Sequence, residues 1–353
     1  MKSSILTLAT LLTFGASAQA ATIFNFTGST GDLQADAAFD AAASMWSALL
    51  YDDVTINIQR GFSSLGSGIL ASTSNTFTAY TYSQLRSALV ADATSSNDVL
   101  AVANLQAGPA VNMLLNRTAN NPNGSGSATP YIDNDGDANN TTVSITNANA
   151  KALGLLGPSA AVDGVLNFNS AGGFTWDFNP LDGITAGAFD FMGIVAHEIG
   201  HLLGFVSGVD VLDDNSSGPF LNDNQFTFLS VLDLYRYSAA SAASGVIDWT
   251  ADGRAKYFSI DGGATSITTF STGINFGDGH QASHWQDGLG LGVMDPTAAQ
   301  GEQLVIRPND ILAMDVIGWN VGAAVPEPGT IGLSLIGFAL LFAAKRKSRV
   351  KAT

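Results

Sequence analysis

The sequence predicts an α+β fold, in which a mixed sheet and a buried helix form an upper lobe and a loop-rich segment forms a lower lobe. Apolar residues recur at helical spacing in segment 36–50. They alternate with polar residues in segments 54–58 and 162–169, which is typical of strands. The strongest helix is predicted from about residue 187 or 189 to residue 203, and the chain beyond it has few regular patterns.

The length of the chain fits one domain with two lobes. The chain has 353 residues and no internal repeat. Gly204 is suited to end the strongest helix, so we expect an upper lobe of about 21–205 and a lower lobe of about 206–325. Because no clear linker separates the lobes, residues 21–325 are counted as one domain.

Weaker patterns predict the remaining elements. They indicate helices at 83–90 and from 146 or 147 to 155, a strand at 174–178, and short elements near 226–237 and 310–317. Segment 97–105 fits either a helix or a strand. Segment 118–142 is rich in Asn, Gly, Ser and Asp, and it is predicted to be a long loop.

Residues 1–20 have the layout of a secretory signal peptide. Lys2 precedes an apolar stretch at 5–14, and Ala18-Gln19-Ala20 forms a small-x-small cleavage site. We therefore expect export, with cleavage after Ala20. The chain contains no cysteine, so no disulfide can form after export, and stability must come from the core and from bound metal.

The other end of the chain has three parts in order. Val325-Pro326-Glu327-Pro328 precedes a largely apolar run at 329–344 and a basic cluster at 345–349. This end resembles the PEP-CTERM sorting signal of Gram-negative bacteria. The resemblance implies that 326–353 contains a single hydrophobic helix, that an exosortase-type partner processes it, and that the protein is located in the cell envelope, at the cell surface or in the medium. The alternative is a single-span anchor with the same membrane orientation.

The charge of the segment between these ends excludes some partners. Residues 21–325 contain 8 Lys and Arg against 29 Asp and Glu, which leaves a formal charge of −21. An acidic surface repels phosphate groups, so nucleic acid and anionic membrane surfaces are not expected as partners. The composition gives no indication of the oligomeric state.

The strongest chemical signal is His197-Glu198-Ile199-Gly200-His201. Histidines four residues apart lie on one face of a helix, and two imidazoles there suit a zinc ion. Glu198 is placed to act as the general base on a water that zinc activates. The chain has only four histidines, and two of them occur here in an apolar helix, where buried polar groups need partners. Residues 21–325 are thus predicted to be a zinc metallopeptidase catalytic domain.

The residues leave the third zinc ligand open. A catalytic zinc usually has three protein ligands. In the metzincin pattern HExxHxxGxxH, Gly204 matches but Ser207 occupies the place of the last histidine. A thermolysin-type site would need a downstream glutamate, and only Glu302 follows before the tail. The remaining histidines are His280 and His284.

The motif at 197–205, HEIGHLLGF, is followed at a distance by His284-Trp285 and then by Met294-Asp295-Pro296. Together these motifs resemble the leishmanolysin-like branch of the metzincins, and the whole chain resembles a bacterial PEP-CTERM-bearing metallopeptidase. The resemblance implies a zincin or metzincin-like fold, His284 as the third zinc ligand, and Met294 as the residue of the Met-turn beneath the metal. His280 is then expected to be a solvated loop residue.

Two weaker patterns have alternative interpretations. Asp133, Asp135 and Asp137 place three carboxylates at alternate positions, which fits either a calcium site or a polar turn. Residues 222–224 form a similar but weaker oxygen-rich turn. The strand predicted at 162–169 is either the edge strand that pairs with an extended substrate or an ordinary interior strand.

Two functions follow from these observations. The first is an exported zinc endopeptidase that acts on protein or peptide substrates. The second is a surface or exopolysaccharide-matrix structural protein whose zinc site is not catalytic. Glu198 favours the first, because a structural zinc needs no general base. If His280 also bound the metal, the site would be closed and the second function would be favoured.

Overall fold

A computed structural model describes residues 21–215 and 218–322 of the protein. The predicted signal peptide at 1–20 and the predicted sorting segment at 326–353, with its hydrophobic helix, lie outside the described residues. Within the described ranges, we find no helix with the length and apolarity that a membrane span requires.

The described residues form an α+β fold with several small sheets, so the predicted class is confirmed. The strands are β1 (Ile23–Thr27), β2 (Thr55–Ser63), β3 (Ala71–Asn75), β4 (Phe77–Thr81), β5 (Met113–Leu115), β6 (Tyr131–Asp133), β7 (Thr142–Thr146), β8 (Gly164–Asn169), β9 (Trp176–Asp177), β10 (Phe189–Asp190), β11 (Arg236–Tyr237), β12 (Ile247–Asp248), β13 (Lys256–Phe258) and β14 (Thr268–Phe270). The α-helices are α1 (Leu33–Ser47), α2 (Tyr82–Asp92), α3 (Ser96–Ala103), α4 (Ala138–Thr141), α5 (Asn147–Ala152), α6 (Phe191–Leu202), α7 (Val209–Asp214), α8 (Ala239–Ala243) and α9 (Pro308–Val316). Short 3₁₀ helices occur at Pro180–Asp182, Asp223–Gln225 and Leu232–Tyr235.

The largest sheet has the strand order β1-β2-β8-β3. β1, β2 and β8 are parallel to one another, whereas β3 is antiparallel to β8, so the sheet is mixed as predicted. Of the two interpretations of segment 162–169, the interior strand is confirmed and the edge strand is excluded, because β8 is hydrogen-bonded to β2 on one side and to β3 on the other. The edge strand beside β8 is β3, which the sequence patterns did not predict.

Helices α1 and α6 pack against each other beside this sheet. The buried face of α1 is mostly alanine, which lets the two helices approach closely, and Trp46 Nε1 at its end donates a 2.9 Å hydrogen bond to the carbonyl oxygen of Ala196. Phe39 of α1 contacts Phe168 and Phe191 edge-on at 5.4 and 5.5 Å between ring centroids. Each such buried phenylalanine contributes about 1.5–3 kcal/mol by removal of apolar surface from water.

Side-chain and backbone constraints set both ends of α6. Asp190 caps its first turn by accepting a 2.8 Å hydrogen bond from the backbone N–H of Gly193. The helix starts later than predicted because Phe189 and Asp190 pair with β9 as a short strand. It ends before Gly204, whose φ of 119° suits glycine, as the sequence predicted.

The region after α6 contains short sheets between long loops. The order β12-β5-β6 joins strands from both predicted lobes, because β5 lies in segment 21–205 and β12 lies beyond it. The predicted loop at 118–142 contains β6 and α4. The ambiguous segment at 97–105 is helical, as α3, and the short element predicted near 310–317 is α9.

Candidate metal centre

The first two predicted zinc ligands lie on the buried helix α6. His197 and His201 are one turn apart, and their Nε2 atoms lie 3.0 Å from each other. Most of the helix is buried, including Val195, Ala196 and Ile199, so both imidazoles are held on a fixed backbone. The i, i+4 spacing therefore brings the two ring nitrogens together on one face of the helix, as the sequence predicted.

His284 joins this pair from a loop far along the chain. Its Nε2 lies 3.1 Å from Nε2 of His201 and 3.3 Å from Nε2 of His197. Zinc binds imidazole nitrogen at about 2.0–2.1 Å, and tetrahedral geometry then separates the nitrogens by about 3.3–3.4 Å. The triangle of nitrogens has nearly this size, so the donor set fits a zinc ion that caps it.

The other ring nitrogens contact backbone carbonyl oxygens. Nδ1 of His197 lies 2.8 Å from the oxygen of Val293, and Nδ1 of His201 lies 2.7 Å from the oxygen of Phe205. A carbonyl can only accept, so these Nδ1 atoms carry the protons and the Nε2 atoms present lone pairs. Lone pairs about 3 Å apart repel one another unless a cation lies between them. This orientation is typical of histidines that bind a metal.

Burial keeps these imidazoles neutral. It lowers the pKa of His197 to about 4, and burial together with the neighbouring His197 ring lowers the pKa of His201 to about 3. Burial and the two other rings also lower the pKa of His284 well below its ordinary value. Neutral imidazole is the form that binds a metal ion.

Glu198 lies beside the three histidines with 6% of its surface exposed. Its Oε2 accepts a 2.6 Å hydrogen bond from the hydroxyl group of Thr73 on the edge strand β3. Burial raises the pKa of Glu198 to about 7, and the Thr73 hydrogen bond acts in the opposite direction. A carboxylate held in this way is suited to exchange a proton near neutral pH.

Met294 packs against α6 at Gly200, the residue before His201. It is fully buried, and a Cβ atom placed on Gly200 would lie less than 3.0 Å from its sulfur. Glycine at position 200 thus allows the loop to approach α6. The backbone carbonyl of Met294 accepts a 3.0 Å hydrogen bond from the N–H of Trp285, which connects it to the segment that carries His284.

Asp310 at the start of α9 holds this loop in place. Its carboxylate accepts hydrogen bonds from Nε1 of Trp285 at 2.8 Å and from the backbone N–H groups of Val293 and Arg307 at 2.8 and 2.7 Å. No sequence pattern had singled out Asp310 or Thr73 as a residue of the site. An acidic residue in the first turn of a helix is a capping signal, but no local sequence pattern shows that it contacts the loop with Trp285 and Val293.

A cleft of about 820 Å³ opens in front of the histidines and Glu198. The edge strand β3 forms one of its walls, and Asp210, Ser283 and Pro296 also line it. Because β3 pairs with β8 on one side only, the backbone groups on its other side are not used within the sheet. The three histidines and the unpaired edge of β3 thus line one cleft.

The alternative ligands lie outside this group. His280 lies 3.5 Å from the carboxylate of Asp287, and the histidine group formed by the described residues does not include it. Glu302 is exposed, and its side chain accepts a hydrogen bond from the backbone N–H of Ala299. Neither residue contributes a fourth or an alternative ligand in this arrangement.

The acidic cluster contains two of the three predicted aspartates and one other aspartate. One carboxylate oxygen from each of Asp133, Asp135 and Asp223 lies within 4.8 Å of the others. Asp137 caps α4 instead, where it accepts a hydrogen bond from the backbone N–H of Asn139. Asp223, from the weak 222–224 pattern, takes the third place.

We compared the chain with protein-family models, curated proteins and solved structures, and none of them matches it.

Proposed function

We propose that the chain is an exported zinc-dependent endopeptidase with a zincin or metzincin-like fold, acting on protein or peptide substrates. The observation that carries the proposal is the convergence of three neutral imidazoles, from His197, His201 and His284, next to the buried carboxylate of Glu198. Three protein ligands leave a fourth position for water or substrate, as in catalytic zinc sites.

Each group around the cleft has a defined task in this proposal. When bound, zinc would supply a Lewis acid that polarises the scissile carbonyl and makes water acidic. Glu198 takes a proton from the attacking water and passes it to the leaving nitrogen. Thr73 holds Oε2 of Glu198 in place. The free edge of β3 offers backbone groups to an extended peptide that runs through the cleft.

The arrangement supports this function over a structural zinc site in a surface or matrix protein. A structural zinc usually has four protein ligands and no neighbouring general base. His280, the only other histidine, is paired with Asp287. The contact of Met294 with Gly200 of α6 and the positive φ of Gly204 after the helix support the metzincin resemblance.

Replacement of Glu198 tests the mechanism. We expect Glu198→Gln to keep one zinc per chain by elemental analysis but to lose about 10²–10⁴-fold in casein hydrolysis, because the base is gone and the ligands remain. Glu302→Gln is the matched control, since this glutamate is exposed. Hydrolysis at the wild-type rate by the Glu198 variant would refute the proposed role.

Replacement of histidines tests the ligand set. We expect His284→Ala to lower the zinc content of the purified protein strongly, whereas His280→Ala leaves it near one per chain. The reverse order would show that the wrong distal histidine has been assigned. A wild-type protein with zinc bound but no hydrolysis of any protein substrate would favour the structural alternative.

A further inference from the structure

A second group of oxygen ligands lies outside the zinc cleft, around the carboxylates of Asp133, Asp135 and Asp223. Asp133 ends β6, Asp135 lies in the following turn, and Asp223 begins a 3₁₀ helix much later in the chain. Asp133 and Asp223 are 3% and 5% exposed, whereas Asp135 is exposed to solvent. The group therefore has a buried floor and one side open to solvent.

The charge of this group is not balanced by the protein. Among the described residues, no Lys, Arg or His forms an ion pair with Asp133, Asp135 or Asp223. Tyr131 and Asn120 donate hydrogen bonds to Asp223, but both are neutral. Burial, together with the charges of the neighbouring carboxylates, raises the pKa of Asp133 to about 6. Buried anions of this kind are normally paired with a cation or bound to a metal.

Asn139 supplies an independent sign of a missing partner. Its side chain is 1% exposed, and its amide group contacts the cluster through Nδ2, which lies 2.6 Å from Oδ2 of Asp133. A half-turn of the amide group exchanges Nδ2 and Oδ1 and brings the oxygen to the cluster. Its Oδ1 is buried, and no residue in the described ranges donates a hydrogen bond to it. A buried carbonyl oxygen without a partner is costly, and amide oxygens are common ligands of hard cations.

The chemistry of these ligands selects the ion. All the groups are oxygen donors, which disfavours zinc, and three carboxylates with an open side suit calcium, which takes 6–8 oxygens in flexible geometry. We propose that Asp133, Asp135, Asp223 and Asn139 bind a calcium ion that ties the turn after β6 to the 3₁₀ helix at Asp223–Gln225. The ion would join a segment of the predicted upper lobe to one of the lower lobe.

Thermal unfolding of the full-length protein tests the site without any activity assay. The protein is stripped with a chelator, returned to a fixed zinc concentration and titrated with calcium chloride. We expect the Tm to rise by about 3 °C or more and to saturate at about 10⁻⁴–10⁻³ M calcium, the range of extracellular calcium modules. No change in Tm up to about ten times that range would overturn the proposal.

Isosteric variants separate a calcium site from a purely structural cluster. Asp223→Asn and Asp135→Asn should lose the calcium-dependent rise, whereas the exposed Asp53→Asn control should keep it. Without calcium, Asp135→Asn should be at least as stable as the wild type, because a like charge has been removed. An equal rise in the wild type and in Asp223→Asn would show that calcium binds elsewhere.

Terbium luminescence provides a second readout that is independent of stability. The hydroxyl of Tyr131 lies 3.1 Å from Oδ2 of Asp223, so light absorbed by this tyrosine should sensitise a terbium ion in the site. We expect emission that calcium displaces, that equal magnesium leaves in place, and that Asp223→Asn abolishes. Emission that persists unchanged in this variant would refute the assignment. Neither outcome depends on whether the zinc cleft is catalytic.

Discussion

The contact between α6 and the loop that carries Met294 can be tested by placing one methyl group on Gly200. A Cβ atom there would lie less than 3.0 Å from Sδ of Met294, 3.2 Å from its Cε and 3.7 Å from its Cγ. Non-bonded heavy atoms prefer separations of about 3.5–4.0 Å. Met294 is fully buried, so the sulfur cannot avoid the methyl group by swinging into solvent. Gly200→Ala must therefore displace either the loop that carries Met294 or helix α6.

Two opposing effects set the magnitude. Overpacking of a core costs about 1–3 kcal/mol, and this site is fully enclosed, so we take about 3 kcal/mol. Alanine in a helix interior is about 1 kcal/mol more favourable than glycine. The net expectation for Gly200→Ala is a loss of about 2 kcal/mol in the free energy of unfolding. Urea unfolding followed by tryptophan fluorescence, at one zinc concentration for all variants, measures it.

A double-mutant cycle isolates the contact. In a Met294→Ala background the sulfur is absent, so the methyl group of Gly200→Ala fills space and should be neutral or stabilising by up to about 1 kcal/mol. The two substitutions should therefore be coupled by about 2–3 kcal/mol. If Gly200→Ala lowers the free energy of unfolding equally in both backgrounds, then Gly200 and Met294 are not in direct contact.

Two further predictions concern the edge strand and the charge of the fold. Thr73→Val removes the hydroxyl that donates to Glu198, so kcat for a peptide substrate should fall about 10–100-fold with little change in KM, and Thr73→Ser should restore it; a normal kcat in the valine variant would contradict the positioning role. Burial and the charges of Asp52 and Asp98 raise the pKa of Asp92 from 3.8 to about 7. Since the folded pKa is the higher one, the stability that protonation of Asp92 contributes is complete below about pH 4 and is lost as the pH rises through about 7. Asp92→Asn should therefore flatten the fall in Tm between about pH 4 and 7, and an unchanged slope would argue against this assignment.

The sequence predicted those parts of the site that depend on local geometry. The i, i+4 spacing of His197 and His201 fixes their relation within one helix, and an apolar helix needs no tertiary information to be recognised as buried. The choice of His284 over His280 came from a resemblance, not from spacing. What places it is tertiary packing: the ring of its neighbour Trp285 lies edge-on to Phe205, 4.8 Å between centroids.

The parts that escaped prediction lack any local pattern. Strand β3 is made of small polar residues, Ala71 to Asn75, so no alternation of apolar side chains marks it. Its register places Thr73 opposite Leu166, and that pairing brings the hydroxyl to Glu198. Similarly, Asp223 reaches Asp133 only through folding, whereas the regularly spaced Asp137 uses its carboxylate as a helix cap.

Asp310 explains how a loop without regular structure can present the third imidazole accurately. Its buried carboxylate would destabilise the fold if it lacked partners, and burial does raise its pKa. That cost is offset by N–H donors from Trp285, Val293 and Arg307. Gly292 is required beside it, because a side chain there would overlap both carboxylate oxygens. Trp285 adjoins His284, and Val293 carries the carbonyl partner of His197. The carboxylate of Asp310 therefore helps to position both histidines, although it is not a member of the histidine group.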